Sequence, residues 1–169
     1  SQQGLGTTFC FEVPLGLGRL EAADEVEAGC GQVGNLGQAR ILVADDAPAN
    51  RELVTAILGG MGLEVHTVAD GAQALQAMQG DHYDLVLMDI HMPVIDGLEA
   101  TREIRRMEED GRGHTPIIAL TANVQADQIV RCLEAGMDGH LSKPIQVGEM
   151  AQVLAYWLTV TDEAVLEAV

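Results

Sequence analysis

The stretch YDLVLMDIHMPVIDG occupies residues 83–97. Its first part is an apolar run up to Met88, short enough for a buried strand and too short for a helix. The run stops on Asp89 and gives way to a loop containing Pro93 and Gly97. A strand is therefore predicted over 83–88, with an acid at its carboxyl end. Similar short runs lie on both sides. Residues 41–44 (ILVA) stop at Asp45 and Asp46, and residues 116–120 (PIIAL) stop at Thr121. Residues 64–68 (EVHTV) and 140–142 (HLS) complete a set of five strands, the last closing at Lys143 and Pro144.

Between these runs the apolar period changes from two residues to that of a helix. Residues 47–61 place Leu53, Val54, Ile57, Leu58 and Met61 at helical spacing, with Pro48 near the start and Gly59, Gly60 and Gly62 at the end. Further helices are predicted over 71–78, with Leu75 and Met78 facing inwards, and over 96–109, 123–135 and 147–158. Gly111 and Gly113 follow the third helix, and Gly136 stops the fourth. Alternating strands and helices of these lengths imply an α/β fold with a parallel sheet covered on both faces. In such sheets ligands bind at the carboxyl ends of the strands, where strand order reverses. Asp45/Asp46, Asp89, Thr121 and Lys143 each follow or end a strand, so this fold gathers them at one edge.

That edge has definite chemistry. Two unit charges ~4 Å apart repel by about 4 kcal/mol at an effective dielectric of 20, so a cluster of Asp45, Asp46 and Asp89 calls for a cation. All-oxygen ligation suits Mg²⁺ (or Mn²⁺), which accepts one or two carboxylates together with phosphate oxygens. Lys143 offers a positive charge and Thr121 a hydroxyl to further phosphate oxygens. A carboxylate in such company is equipped for in-line attack on phosphorus, giving an acyl phosphate. Asp89 is the best candidate for the nucleophile because it ends the central strand. Asp45 and Asp46 precede a helix and read better as metal holders. Each residue has a plainer use as well. An aspartate at a strand end caps turns or helices, Thr121 could cap the fourth helix, and a lysine before proline belongs in a surface loop. Their joint occurrence at the strand ends of one sheet favours the site.

The composition narrows the classes. The 169 residues suit one main core with tails, and with aromatics at 3% that core must be built from Val, Leu, Ile, Met and Ala. The net charge of −17, from 26 acids against 9 Lys and Arg, disfavours nucleic acid and anionic membrane surfaces as partners. Most of that charge is accounted for by a solvated acidic surface. Cys10, Cys30 and Cys132 are widely spaced with no paired pattern, which fits a reducing compartment. No apolar run reaches the ~18 residues that span a bilayer, and SQQGLGTTF lacks the marks of a signal peptide. This segment is expected to be cytoplasmic. Residues 16–38 are rich in Gly, Ala and acids and are expected to form a flexible linker. Before them, Phe9, Phe11 and Val13 alternate in a short strand ending near Pro14. A lone strand is not stable by itself, so it is expected to be the edge of another domain.

From 39 to 159 the chain resembles the receiver domains of response regulators. The resemblance rests on VADD (43–46), LVLMDIHMPVIDG (85–97), PIIALTA (116–122) and HLSKPI (140–145), in order and suitably spaced. It implies a flavodoxin-like, doubly wound sheet of strand order 2-1-3-4-5. It implies Asp89 as phospho-acceptor, Asp45 and Asp46 as the acidic pair for Mg²⁺, and the backbone carbonyl of His91 as a further ligand. Thr121 matches the switch hydroxyl, and Lys143 the family lysine, joined to Pro144 by a cis bond. The usual aromatic switch residue is replaced by His140, and Ala47 stands where many receivers of this subtype have Asn.

Residues 4–15 (GLGTTFCFEVPL) look like the last strand region of a histidine-kinase ATP-binding domain. Residues 1–15 are read as its remnant, in which Gly4, Gly6 and Thr7 cannot bind ATP by themselves. The implied parent is a hybrid sensor histidine kinase, possible membrane anchoring included, in which this segment is a phospho-acceptor and not a stand-alone enzyme. Its partners would be a phosphohistidine-bearing dimerisation domain and a histidine phosphotransfer domain. Asn123 and His91 would flank the site and bear on the lifetime of the phospho-state. Residues 160–169 are read as a tail or the opening of a further module. A Mg²⁺-dependent phosphatase is a poorer match, because it would carry an acid at the position of His91. A nucleotide- or flavin-binding module would need a glycine- or Ser/Thr-rich first loop where the acidic 45–50 stands. A phosphorylation-independent pseudo-receiver would not need the full set of acids, Thr121 and Lys143.

Overall fold

The computed structural model describes residues 39–109, 113–122 and 125–166, of which 159–166 are described as backbone only. The strand and linker expected before residue 39, and Asn123, lie outside the described residues. The strands are β1 (Arg40–Ala44), β2 (Glu64–Val68), β3 (Leu85–Asp89), β4 (Ile117–Thr121) and β5 (Gly139–Ser142). The helices are α1 (Pro48–Gly60), α2 (Gly71–Gly80), α3 (Gly97–Glu109), α4 (Ala126–Ala135) and α5 (Val147–Leu166). All strand pairs are parallel, in the order β2-β1-β3-β4-β5. The fold class expected from the sequence is thus the observed one.

The central strands bury both of their faces, which is why they read as continuous apolar runs. Leu42, Val86, Met88, Ile117 and Ala119 point to one core, shared with α2, α3 and α4. Ile41, Val43, Leu85, Leu87, Ile118 and Leu120 point to the other, against α1 and α5. The period of two along each strand sorts the residues between these cores, and a slip by one residue would exchange them.

Several boundaries differ from the sequence reading. Tyr83 and Asp84 precede β3 and do not belong to it. The Asp84 carboxylate accepts the Arg40 backbone N–H at 2.7 Å, tying the starts of β1 and β3 together. The fourth helix begins at Ala126, with Gln125 as its N-cap and not the Thr121 side chain. The last helix runs to Leu166, beyond the expected end at 158, so residues 160–166 continue α5. Leu53 is half exposed, at 49%, because Val54 and Leu58 form the buried stripe of α1 and Leu53 falls on its border. Among the described residues no helix is long and apolar enough to cross a membrane.

At the amino ends of the strands a polar clamp joins α3 to both flanks of β4. Arg105 donates to the carboxylates of Glu108 and Asp138, at 2.7 and 2.6 Å, and to the carbonyls of Thr115 and Gly136. Asp138 also receives the Ile117 backbone N–H. At the other edge Gly97 lets α3 start directly against β3. A Cβ on Gly97 would lie 2.0 Å from the Asp89 carbonyl oxygen, which is backbone and cannot swing aside. Gly97→Ala is therefore expected to destabilise the domain by about 1–3 kcal/mol or more. Gly59, with open space around it, should accept Ala at neutral or slightly stabilising cost, within about 1 kcal/mol. Urea unfolding of the two variants tests the contrast, and equal midpoints would contradict it.

Candidate functional site

The order β2-β1-β3 places the reversal of strand order between β1 and β3, and the carboxyl ends of these strands carry the acids. Asp45, just after β1, is fully buried, whereas Asp46 beside it is exposed. Asp89, the last residue of β3, is 7% exposed. One oxygen from each of these carboxylates falls within 4.8 Å of the others, a grouping able to hold a metal ion.

Lys143 supplies the nearest counter-charge. Its Nζ donates to Asp45 Oδ2 at 2.7 Å and to Asp89 Oδ2 at 2.6 Å. No other lysine occurs in the chain. Its backbone is held as well, through a cis bond to Pro144 and an N–H donated to the Thr121 carbonyl at 2.7 Å. Thr121 ends β4 and is 2% exposed. The His91 backbone N–H donates to Asp89 Oδ1 at 3.3 Å, and the His91 side chain is exposed.

Asp45, Asp46, Asp89 and Lys143 are thus brought together, with His91 and Thr121 at their border. His140 behaves differently. It is exposed on β5 and lines a surface cleft with Glu149, Gln152 and Val153. Another hollow, lined by Met78, Tyr83, Ile104 and Thr115 among others, opens near the amino ends of β3 and β4. It lies away from the acids and contains none of these groups.

Two residues of the site are not singled out by the sequence reading. The Asn50 amide donates to both oxygens of Asp45, at 3.1 Å each. The Arg51 guanidinium donates to the backbone carbonyls of Asp45 and Asp46, at 2.6 and 3.0 Å. The available signal was their place in the first turn of a helix that follows directly on two acids at a strand end. Ala47, the N-cap of α1, makes no side-chain cap bond. Its backbone N–H instead donates to Asp45 Oδ1 at 2.9 Å. The Asn-to-Ala departure noted in the sequence therefore affects capping, while the acid itself carries the turn.

The donor set is carboxylate only, which suits a hard divalent cation such as Mg²⁺ better than a thiolate- or imidazole-seeking metal. The like charges of the acids are offset at one point, by Lys143, and the exposed Asp46 gives an ion a way in from solvent. The residues present fit the ion.

Residues 41–155 match the family profile described as the response regulator receiver domain. The chain belongs to that family. It is 42% identical over 142 residues to sensor protein GacS of Pseudomonas syringae pv. syringae, an alignment covering 83% of this chain and 16% of that protein. To sensor histidine kinase RcsC of Escherichia coli strain K12 it is 42% identical over 118 residues, covering 69% of this chain and 12% of that protein. The chain thus spans a small fraction of the length of these relatives. The receiver domain of a sensor histidine kinase from Pseudomonas aeruginosa PAO1, with a magnesium ion coordinated in its active-site cleft, superposes with a TM-score of 0.66. It is 41% identical, and the match covers 73% of this chain and 99% of that one.

Burial by itself lowers the pKa of the Lys143 ammonium, but the hydrogen bonds and charges of Asp45 and Asp89 outweigh it, so the net direction is upwards. Stability gained from a raised lysine is complete below the ordinary value of about 10.4 and is lost as pH rises through the folded value. Without divalent metal, the stability difference between the wild-type domain and Lys143→Met should hold between about pH 7 and 9 and shrink above ~10.4. Urea unfolding across that range checks it, and a difference that stays flat at the alkaline end would contradict the pairing.

Proposed function

We propose that this receiver accepts a phosphoryl group on Asp89 from a phosphohistidine, as a step in two-component phosphorelay. The observation that carries this reading is the environment of the Asp89 carboxylate. One oxygen is held by Lys143 at 2.6 Å and the other faces the His91 N–H at 3.3 Å, beside a metal-competent acidic pair.

An oxygen of Asp89 attacks phosphorus in line with the leaving imidazole nitrogen. The O–P bond forms as the P–N bond breaks, and the imidazole keeps the electron pair and takes up a proton from solvent. A Mg²⁺ ion held by Asp45, Asp46, Asp89 and the His91 carbonyl would supply positive charge against the phosphoryl oxygens. Mn²⁺ would suit the same donors. Lys143, released from Asp89 once that carboxylate becomes an ester-like acyl phosphate, turns to a phosphoryl oxygen. The hydroxyl of Thr121, at the end of β4, would meet another. Movement of Thr121 would shift α4, β5 and α5 between two packings. The exposed His140 would follow that shift through changed packing on β5 and not as a side chain already inside.

The larger setting follows from the relatives. Because GacS and RcsC are named as a sensor protein and a sensor histidine kinase, the parent protein is proposed to be a hybrid sensor histidine kinase. In it residues 1–15 would end the ATP-binding domain and 16–38 would link it to the receiver. Its partners would be the phosphohistidine domain of the kinase and a histidine phosphotransfer domain, on the cytoplasmic side of a membrane-anchored protein.

Incubation with a small acyl-phosphate donor and Mg²⁺, followed by intact mass measurement, should show one added phosphoryl group on the wild-type domain. The gain should be absent with a chelator and absent in Asp89→Asn. A gain that survives in Asp89→Asn would place the acceptor elsewhere, and no gain together with no Mg²⁺ binding would favour a pseudo-receiver.

A further inference from the structure

Asp45 is the most deeply buried acid of the site, and its hydrogen bonds are unusually complete. Oδ1 accepts from the Ala47 N–H at 2.9 Å and from Asn50 Nδ2 at 3.1 Å. Oδ2 accepts from Lys143 Nζ at 2.7 Å and from the same Asn50 nitrogen at 3.1 Å. The lysine bond is the exchangeable one, because Lys143 is shared with Asp89. The bonds from Ala47 and Asn50 come from the loop and first turn of α1 and do not compete for a ligand. Asn50 is the side chain in this set that touches both oxygens, so with the Ala47 N–H it holds the rotation of the carboxylate plane when Lys143 moves.

We propose that Asn50 is a positioning residue of the metal site, which orients the Asp45 carboxylate and so sets how tightly and how selectively the acidic cluster holds Mg²⁺. Arg51 completes the clamp by bonding the carbonyls of Asp45 and Asp46, which keeps the loop carrying both acids from opening. The physical reason is the rigidity that Mg²⁺ demands. It requires near-ideal octahedral geometry at about 2.0–2.1 Å, whereas Ca²⁺ tolerates longer and more variable distances of about 2.3–2.6 Å. A carboxylate free to rotate suits the larger ion as well as the smaller one. A carboxylate locked by a neutral amide favours the smaller ion, and the amide adds no charge that would compete for the metal. Groups that orient ligands in this way typically alter metal affinity by about 10–100-fold when removed.

The inference rests on the reading that Asp45, Asp46 and Asp89 hold Mg²⁺. The test is calorimetric titration of the wild-type domain, Asn50→Leu and Asn50→Ser with Mg²⁺ and with Ca²⁺, alongside thermal unfolding of each. Asn50→Leu keeps the branching at Cγ and removes the donor, and Asn50→Ser restores a hydroxyl donor if the leucine variant does not fold. The expected result is a domain that still unfolds cooperatively but binds Mg²⁺ about 10-fold more weakly in Asn50→Leu. Its preference for Mg²⁺ over Ca²⁺ should fall, and Asn50→Ser should lie between the two. A merely structural role would lower the unfolding temperature and leave the Mg²⁺/Ca²⁺ ratio unchanged. Folded variants with wild-type Mg²⁺ affinity and ratio would overturn the inference while leaving the metal site standing. Failure of the wild-type domain to bind Mg²⁺ would overturn both.

Discussion

Everything at the working edge of this domain depends on one ammonium group placed between two carboxylates. Asp45 follows β1 and Asp89 ends the neighbouring β3, and both are paired with Lys143, whose Nζ lies within hydrogen-bonding distance of each. The pairing is part-buried, so desolvation opposes it, and it persists because each charge is hydrogen-bonded as well as paired. Removing one partner would leave an uncompensated charge in the crevice. The Lys143 backbone N–H donates to the Thr121 carbonyl at 2.7 Å. The reach of the side chain is set by the segment after β5, and the position of that segment is set by β4.

The sheet makes this arrangement inexpensive in structural terms. Because β1 and β3 are neighbours and parallel, their carboxyl ends come together without any loop having to carry the acids across the molecule. The two cores hold the strands from both faces, so the acids are fixed by packing that has no chemical role. The same logic governs Gly97, whose missing Cβ allows α3 to begin against the Asp89 carbonyl. The opposite edge is stapled by Arg105 and its carboxylate partners. Arg105 thus braces the amino ends of β4 and β5, while Thr121 and Lys143 lie at their carboxyl ends.

Among the described residues the exposed large apolar side chains are Leu53, Val94, Val130, Leu133, Val147 and Tyr156. Leu53 on α1, Val94 after β3 and Val147 at the start of α5 stand in the segments that follow the acids and Lys143. Val94 also adopts a left-handed backbone, with φ of 69°, a conformation costly for a β-branched residue. That cost falls in the loop that connects Asp89 to Gly97, where backbone strain accompanies close approach of α3 to β3.

The strand runs ILVA, LVLMD and PIIAL were legible as buried parallel strands because both faces are apolar. Their polar endings were legible as a site because parallel topology aligns carboxyl ends. Asp45, Asp46, Asp89, Thr121 and Lys143 could all be named from sequence for that reason. The exposure of Leu53, the start of β3 at Leu85 and the extension of α5 to Leu166 could not. Each depends on how an element meets its neighbours and not on its own period. The roles of Asn50 and Arg51 were hidden for a similar reason. A polar pair in a helix's first turn resembles any solvated turn until the buried Asp45 carboxylate is seen beneath it. His140, expected at the switch position from the resemblance, stands exposed on β5 in a cleft with Glu149, Gln152 and Val153, a placement its position before Lys143 could not show. Spacing and residue type determine which groups reach the sheet edge. Only tertiary packing decides which are buried there, because burial is a property of the neighbours that cover a group.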